Sequence, residues 1–225
     1  MVLFTPFFVS AQFYSSLFNN SLPTAIDLKD IRESIYNGKQ HLGYPKSIIG
    51  NPYYQTEEWQ KGSIVYHDIF YPDILLKYDL VQNEVVIRNS GNDIAIALFT
   101  PRIKNFSIMG KKFFYSPGNN GSLPPPGIYE ELKKGSIDFY IHRSKYIKET
   151  INGIEATREF NLNDLYYVVK DGICYPVKTQ KDILHLVKEK KAEIKKDLKS
   201  KNLHFRNNIE ATLSEIVSYY NKTTK

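Results

Sequence analysis

The stretch from Trp59 to Phe106, WQKGSIVYHDIFYPDILLKYDLVQNEVVIRNSGNDIAIALFTPRIKNF, leaves few folds open to this chain. It is a run of short β-strand signatures with almost nothing between them. Gly62 to His67 and Ile74 to Tyr78 are rich in β-branched and aromatic residues. Val81-Gln82-Asn83 is a connection short enough for a hairpin into Glu84 to Arg88. Ser90-Gly91-Asn92-Asp93 clusters turn formers ahead of Ile94 to Phe99. Strand side chains alternate between faces, so Ile94, Ile96 and Leu98 are expected on one side. Sequential short strands with turn signals predict an antiparallel meander. A parallel sheet needs a crossover of about a dozen residues between strands, and there is no room for one.

Tyr66, Phe70, Tyr71, Tyr78 and Phe99 lie in or beside these strands. Such rings pack well on a pleated surface and are read as sheet core and cross-strand pairs. Rings lining a ligand groove are the functional alternative. Further strands are expected at Lys111 to Tyr115, Ile137 to Lys145 and Glu155 to Asn161; Ile128 to Lys134 fits helix or strand. Ile137, Phe139 and Ile141 would share one face, leaving Asp138, Tyr140 and His142 on the other. Ser116 to Gly127, SPGNNGSLPPPG, is a loop stiffened by three successive prolines. Leu165 to Lys170 and Ile173 to Val177 flank Asp171-Gly172, the pair a two-residue type I′ hairpin favours.

After Val177 the composition changes. Thr179 with Asp182 resembles a helix cap and its partner. Ile183, Leu186, Val187, Ile194 and Leu198 then recur at helical spacing to about Asn202. Glu189, Glu193 and Asp197 form a ladder of acids four apart among lysines, worth a few tenths of a kcal/mol per pair. Asn207 with Glu210 opens a second helix whose stripe is Ile209, Leu213, Ile216, Val217 and Tyr220. Both stripes must be buried, on the sheet or on each other. From Thr179 to Lys225 there are eleven Lys and Arg against six Asp and Glu, an excess of five out of the chain's net +6. The β-rich part is therefore close to neutral. The basic end attracts anions, although its plainest reading is a soluble helical face.

Upstream, Thr24 to Tyr36 reads as a short helix, and Gly38 to Pro52 as a loop. Residues 2 to 9 form an apolar run ending in Val9-Ser10-Ala11, small residues of the kind signal peptidase prefers. The charged segment that usually precedes such a run is missing. The expectation is a signal-peptide remnant over 1–11, cleavage after Ala11, and an exported chain that is periplasmic or outer-membrane-associated. The run is too short to span a membrane. The expected organisation is one domain, with a β-rich body over 12–178 and a basic helical segment over 179–225 packed on it.

Motifs for catalysis are lacking: the chain has no GxSxG, HExxH, CxxC, P-loop or GxGxxG. The five histidines are scattered. His67-Asp68 are neighbours on an expected strand and would point to opposite faces. His67 and His142 could meet across a sheet as metal ligands, yet zinc sites want three or four ligands, more tightly grouped. Acid pairs such as Glu57-Glu58, Glu130-Glu131 and Asp27-Asp30 are too common to mark a glycosidase. Cys174 cannot form an internal disulfide and reads as a small buried hydrophobe. No cofactor or metal is expected. Nucleic acid is not the expected partner, because the lysines share a helix whose apolar face is already committed and lack interleaved aromatics.

Three stretches, 51–87, 160–187 and 191–221, are together similar to an uncharacterised family of exported proteins from the Bacteroidota; the pattern Trp59, Gly62, Tyr66, Tyr71, Tyr78-Asp79 carries much of the likeness. The resemblance implies a cell-envelope location and brings no catalytic residues. The fold expected is α+β: a large antiparallel meander, as a sheet or half-open barrel, with two C-terminal amphipathic helices. The leading functional expectation is a non-enzymatic envelope module binding another protein or a surface polymer through sheet edges and basic helices. The candidate contacts are Trp59, Tyr66, Tyr71, Tyr78, His142, Lys191 and Lys195. The alternatives are a carrier of a lipid or acyl chain in a half-barrel cavity, and a hydrolase with a site built from scattered residues, which a cleft of converging titratable groups would favour.

Overall fold

A computed structural model describes residues 35–224 apart from 90 and 92. By internal contact the chain divides into Met1–Ile35 and Tyr36–Lys225, and the described fold is that of the second unit. The expected signal segment lies outside the described residues, as does the helix expected over Thr24 to Tyr36 except for Ile35 and Tyr36, which are in a turn.

Thirteen antiparallel strands are described: β1 Lys39–Gln40, β2 Gln60–Tyr66, β3 Ile69–Asp79, β4 Glu84–Arg88, β5 Ala95–Ala97, β6 Ile103–Ile108, β7 Lys111–Ser116, β8 Gly127–Lys133, β9 Ile137–His142, β10 Lys145–Asn152, β11 Glu155–Leu162, β12 Leu165–Lys170 and β13 Ile173–Val177. Eleven form one open sheet in the order β1-β5-β4-β3-β2-β6-β7-β8-β9-β12-β13, and β10 with β11 forms a separate two-stranded arm. The antiparallel expectation holds for every pair of named strands. β2 to β5 make the meander, but β6 returns to pair with β2.

That return is possible because β3 bends. The His67 N–H donates to Arg102 O at 3.0 Å, and Thr100 Oγ1 donates to Asn83 O at 3.3 Å. Two residues of chain reach only about 7 Å. His67 and Asn83, in the turns that flank β3, therefore lie within roughly 20 Å of each other, although the eleven residues of a straight β3 between them would span about 36 Å. The bend falls at Pro72-Asp73, where Asp73 has φ +52° and β3 steps out of register with β2 between Gly62 and Ile64. Pro72 sits where no ladder partner needs its N–H. Gly62 is required here, since a Cβ would stand 2.1 Å from Ser107 O of β6.

Several local expectations change. His67 and Asp68 are not on a strand; they form the tight β2–β3 turn with φ +51° and +62°, and His67 Nε2 accepts from Arg102 Nη1 at 2.6 Å. β5 is only three residues long; Ile96 and Leu98 are buried, while Ile94 and Phe99 are exposed. Phe70 is also exposed, so only Tyr66, Tyr71 and Tyr78 of the expected core rings are inside. The segment expected as helix or strand over Ile128 to Lys134 is strand as far as Lys133. The Asp171-Gly172 hairpin forms as expected, with φ +52° and +74°.

The helical segment covers one face of β9, β12 and β13. It contains α1 Gln180–Leu186, a 3-10 turn over Lys188–Lys190, α2 Lys191–Ser200 and α3 Ile209–Thr223. The expected capping box at Thr179 and Asp182 is present in both directions. The single helix expected from Ile183 to Asn202 is instead broken at Val187. Lys170 Nζ, reaching from β12, donates to Leu186 O at 2.6 Å and to Glu189 at 2.8 Å, which ends α1 with a cation on its last carbonyls. The cap of α3 is Asn208, one residue later than expected, accepting from Ala211 N–H. Ile183, Val187, Ile194, Leu198, Leu213, Ile216, Val217 and Tyr220 meet Ile137, Phe139, Ile141 and Val168 in one apolar cluster, so both stripes are buried against sheet and helix alike. Beneath the curled half, Phe106 and Phe113 stack at 4.8 Å with Tyr78 edge-on to both.

The outer edge of β13 is closed to further strands. Pro176 has no N–H, and the Cys174 N–H already donates to Gly121 O at 2.6 Å. At the other end, β1 is only two residues long.

Candidate functional site

The loop after β7 and the β12–β13 hairpin form the two walls of an open groove of about 770 Å³. The loop wall is pinned to the body. Ser116, fully buried, donates from Oγ to Pro124 O at 2.6 Å; Tyr129 donates to Pro125 O at 2.8 Å; Ser122 N–H closes a turn onto Asn119 O. Pro125 and Pro126 add stiffness. The lining is mainly apolar, from Leu123, Pro126, Leu165, Tyr166, Tyr167 and Ile209, with Asp164 and Lys178 as its charged groups. Tyr167 meets Tyr129 edge to face at 5.5 Å. Cys174 also lines the groove and is half-buried rather than fully buried; burial pushes its thiol up to about 11. That is the opposite of what a nucleophilic cysteine needs.

Asp164 also lines a second depression, a cleft of about 540 Å³ centred on Arg143. Arg143 lies between β9 and β10. Its Nε donates to Glu130 at 2.7 Å, and its Nη1 donates to Asp164 at 2.7 Å and Glu210 at 2.8 Å. Burial opposes the charge on this guanidinium, but the bonds to Glu210, Glu130 and Asp164 outweigh it and hold the group above its ordinary value. Glu130 is only 1% exposed, and its Oε1 has Lys111 Nζ at 3.7 Å but no hydrogen bond. Lys145 Nζ caps two carbonyls, Asn51 O and Tyr53 O, and burial lowers its pKa. Titratable groups therefore do converge in a cleft. Each carboxylate nevertheless accepts from Arg143, and the result is a node joining β8, the root of the β10–β11 arm and the first turn of α3.

A third cluster surrounds Asp79, which is fully buried. It accepts from Tyr44 OH and from the Val81 and Gln82 N–H groups, with His41 Nε2 at 3.5 Å. Two main-chain donors from the β3–β4 turn make this carboxylate a turn cap.

The seven sequence-predicted contacts are not gathered in one place. Tyr66, Tyr71 and Tyr78 are buried. Trp59 is half-buried under Lys77 Nζ, 4.5 Å from its ring. His142 Nδ1 donates to Ile128 O at 2.9 Å, which leaves Nε2 to accept from Asn83 Nδ2 at 3.0 Å, while Asn83 Oδ1 accepts from Tyr78 OH. Tyr78 and His142 thus belong to one internal hydrogen-bond chain, and His67 is not part of it. Among the described residues no three His, Cys, Asp or Glu are grouped to hold a metal. Lys191 and Lys195 are exposed on α2 without ion pairs among the described residues, whereas their neighbours Lys190 and Lys201 pair with Glu193, Asp197 and Glu215. The groove residues were missed because the loop and the hairpin are some 40 residues apart in the chain; the triple proline was their one signal.

Comparison of the chain with protein-family models, with curated proteins and with solved structures finds no match.

Proposed function

We propose that this chain is an exported, non-catalytic binding module of the cell envelope, and that its groove holds an extended segment of another envelope protein or of a surface polymer. The groove is the observation that carries this reading. It is concave, mainly apolar and walled by a pinned proline loop, with a few polar groups on its rim, which is the usual make-up of a recognition site. Two tyrosines and two prolines suit an extended chain better than a compact metabolite. The blocked β13 edge argues against strand addition there, so the contact moves from the sheet edges to the groove. The apolar run over residues 2–9 and the likeness to exported proteins support export.

The alternatives have less behind them. A carrier would need space inside the curved sheet, where Tyr78, Phe106 and Phe113 are packed together. A hydrolase would need a free acid and base, and the carboxylates of the cleft are bound to Arg143. No described helix is long and apolar enough to cross a membrane.

The test is native mass spectrometry of protein purified gently from its own envelope, as wild type and as Leu165→Asp. Extra mass of protein or polymer size on the wild type, lost in the variant, is the expected result. Extra mass retained by a folded Leu165→Asp protein would overturn the reading.

A further inference from the structure

Beyond its root, where Ile49 pairs with it and Tyr44 packs on Phe160, the β10–β11 arm is exposed. Its strands pair over eight residues each, from Lys145↔Leu162 to Asn152↔Glu155. Opposite residues share a face, so Ile147 with Phe160 and Ile151 with Ala156 lie on one side of the arm, with the Glu149–Arg158 ion pair between them; the apolar end is Ile151, Ala156 and the Gly153-Ile154 tip. Ile151 is 70% exposed and Ile154 103%. A lone two-stranded hairpin is marginal in water, yet this one is held firmly at its root. Asp164 binds Arg143, Ser144 and Asn163 bond main chain to main chain, and Phe160 N–H donates to Ile49 O at 3.0 Å. A rooted hairpin with a bare isoleucine at its tip presents that tip to something.

We propose that the tip seats in the groove of a second copy of this chain, with the two arms antiparallel about a two-fold axis. This rests on the groove being a binding site and names one occupant for it. Three observations select a second copy. First, the groove begins at Asp164 and Leu165, directly after β11, so it lies at the arm's own root. Eight residues of strand span about 27 Å, which keeps the tip away from its own groove and carries it to the root of an antiparallel neighbour. Second, the chemistry matches. Ile154 is followed by Glu155, an exposed acid with no ion pair among the described residues; the groove is apolar with Lys178, an exposed base likewise without an ion pair, on its rim. Third, the arrangement closes. Each chain gives one arm and takes one, so the contact is isologous and stops at a dimer. The envelope partner and the arm would compete for the groove, and the arm keeps the apolar lining covered until the partner arrives.

The test is sedimentation velocity on the full chain across a concentration series. The wild type is expected as a dimer. Ile154→Asp, which places a charge in an apolar seat, is expected to weaken it about thirtyfold. Lys178→Glu and Glu155→Lys are each expected to weaken it about tenfold, and the two together to restore it to within about threefold of wild type. All three positions are exposed, so the variants fold. A wild type that stays monomeric, or a charge swap that fails to restore the dimer, overturns the proposal. A monomeric wild type that still loses its envelope partner on Leu165→Asp would leave the groove reading intact and sink only this one.

Discussion

Arg143 ties four parts of the chain together, so its removal is the most informative single perturbation of the fold. Arg143→Met keeps most of the aliphatic stem and deletes the guanidinium. Glu130 is then left with its charge buried and its 2.7 Å partner gone. Breaking a buried pair on one side costs about 3–5 kcal/mol, because the remaining charge is uncompensated. Two factors bear on where in that range the value falls. Glu210 is 36% exposed, so its share is screened and worth at most about 1 kcal/mol. Lys111, at 3.7 Å from Glu130 Oε1, can close part of the gap. The expected loss is thus about 3–4 kcal/mol. With a urea slope of about 2–3 kcal/mol per M, the midpoint falls by roughly 1–2 M. Fluorescence of Trp59, the one tryptophan, reports the transition. Adding Glu130→Gln to the variant removes the stranded charge and is expected to recover at least about 1 kcal/mol, a coupling that a double-mutant cycle isolates. A loss under about 1 kcal/mol, or a double variant no more stable than Arg143→Met, would refute the reasoning that this node is a buried, mutually compensated charge cluster.

Three further outcomes are expected. Gly62→Ala forces a Cβ to 2.1 Å from Ser107 O, so β2 and β6 must part; a loss of about 2–3 kcal/mol in thermal or urea unfolding is expected, and a neutral result would contradict the close approach. His41 has its pKa lowered by burial, with Asp79 and Glu84 pulling the other way and Lys77 and Lys39 adding to the lowering. The unfolded imidazole therefore takes a proton more readily than the folded one, and stability present above about pH 6.5 is lost as the pH falls; Tm should drop between pH 7.5 and 5.5, and His41→Asn should flatten that drop. Cys174, raised from 9.0 to about 11, should react with iodoacetamide about a hundredfold more slowly at pH 7.5 than an unshifted thiol, and faster once the protein is unfolded.

The features visible in the sequence are those set by neighbours. Asp171-Gly172 forms its hairpin because the two positive φ values are local demands. The Thr179–Asp182 cap and the alternation of Ile137, Phe139 and Ile141 are equally local. The arm is half legible: β11 matches the strand expected over Glu155 to Asn161, whereas its first residue, Lys145, reads as the end of β9. Its tip carries an Asn-Gly pair, Asn152-Gly153, set one residue ahead of the Gly153-Ile154 loop, with Gly153 at φ +67°. The break in the helix was invisible because its cause, Lys170, sits on β12. Glu130 reads as one of a common acid pair because its partner, Arg143, comes from the far end of β9; for Asp79 the Val81 and Gln82 N–H donors are local and only Tyr44 comes from a distant position. The groove was out of reach for the same reason: its walls meet only after β8 and β9 have brought the proline loop beside the last hairpin.

Hydrogen exchange of the protein alone and with its envelope partner bound tests the groove most directly. Added protection is expected only at residues 118–126 and 164–178, with the arm tip around Ile154 becoming less protected as it is displaced. Protection that instead falls on the exposed lysine face of α2, around Lys191 and Lys195, would contradict it and return the contact to the basic helices.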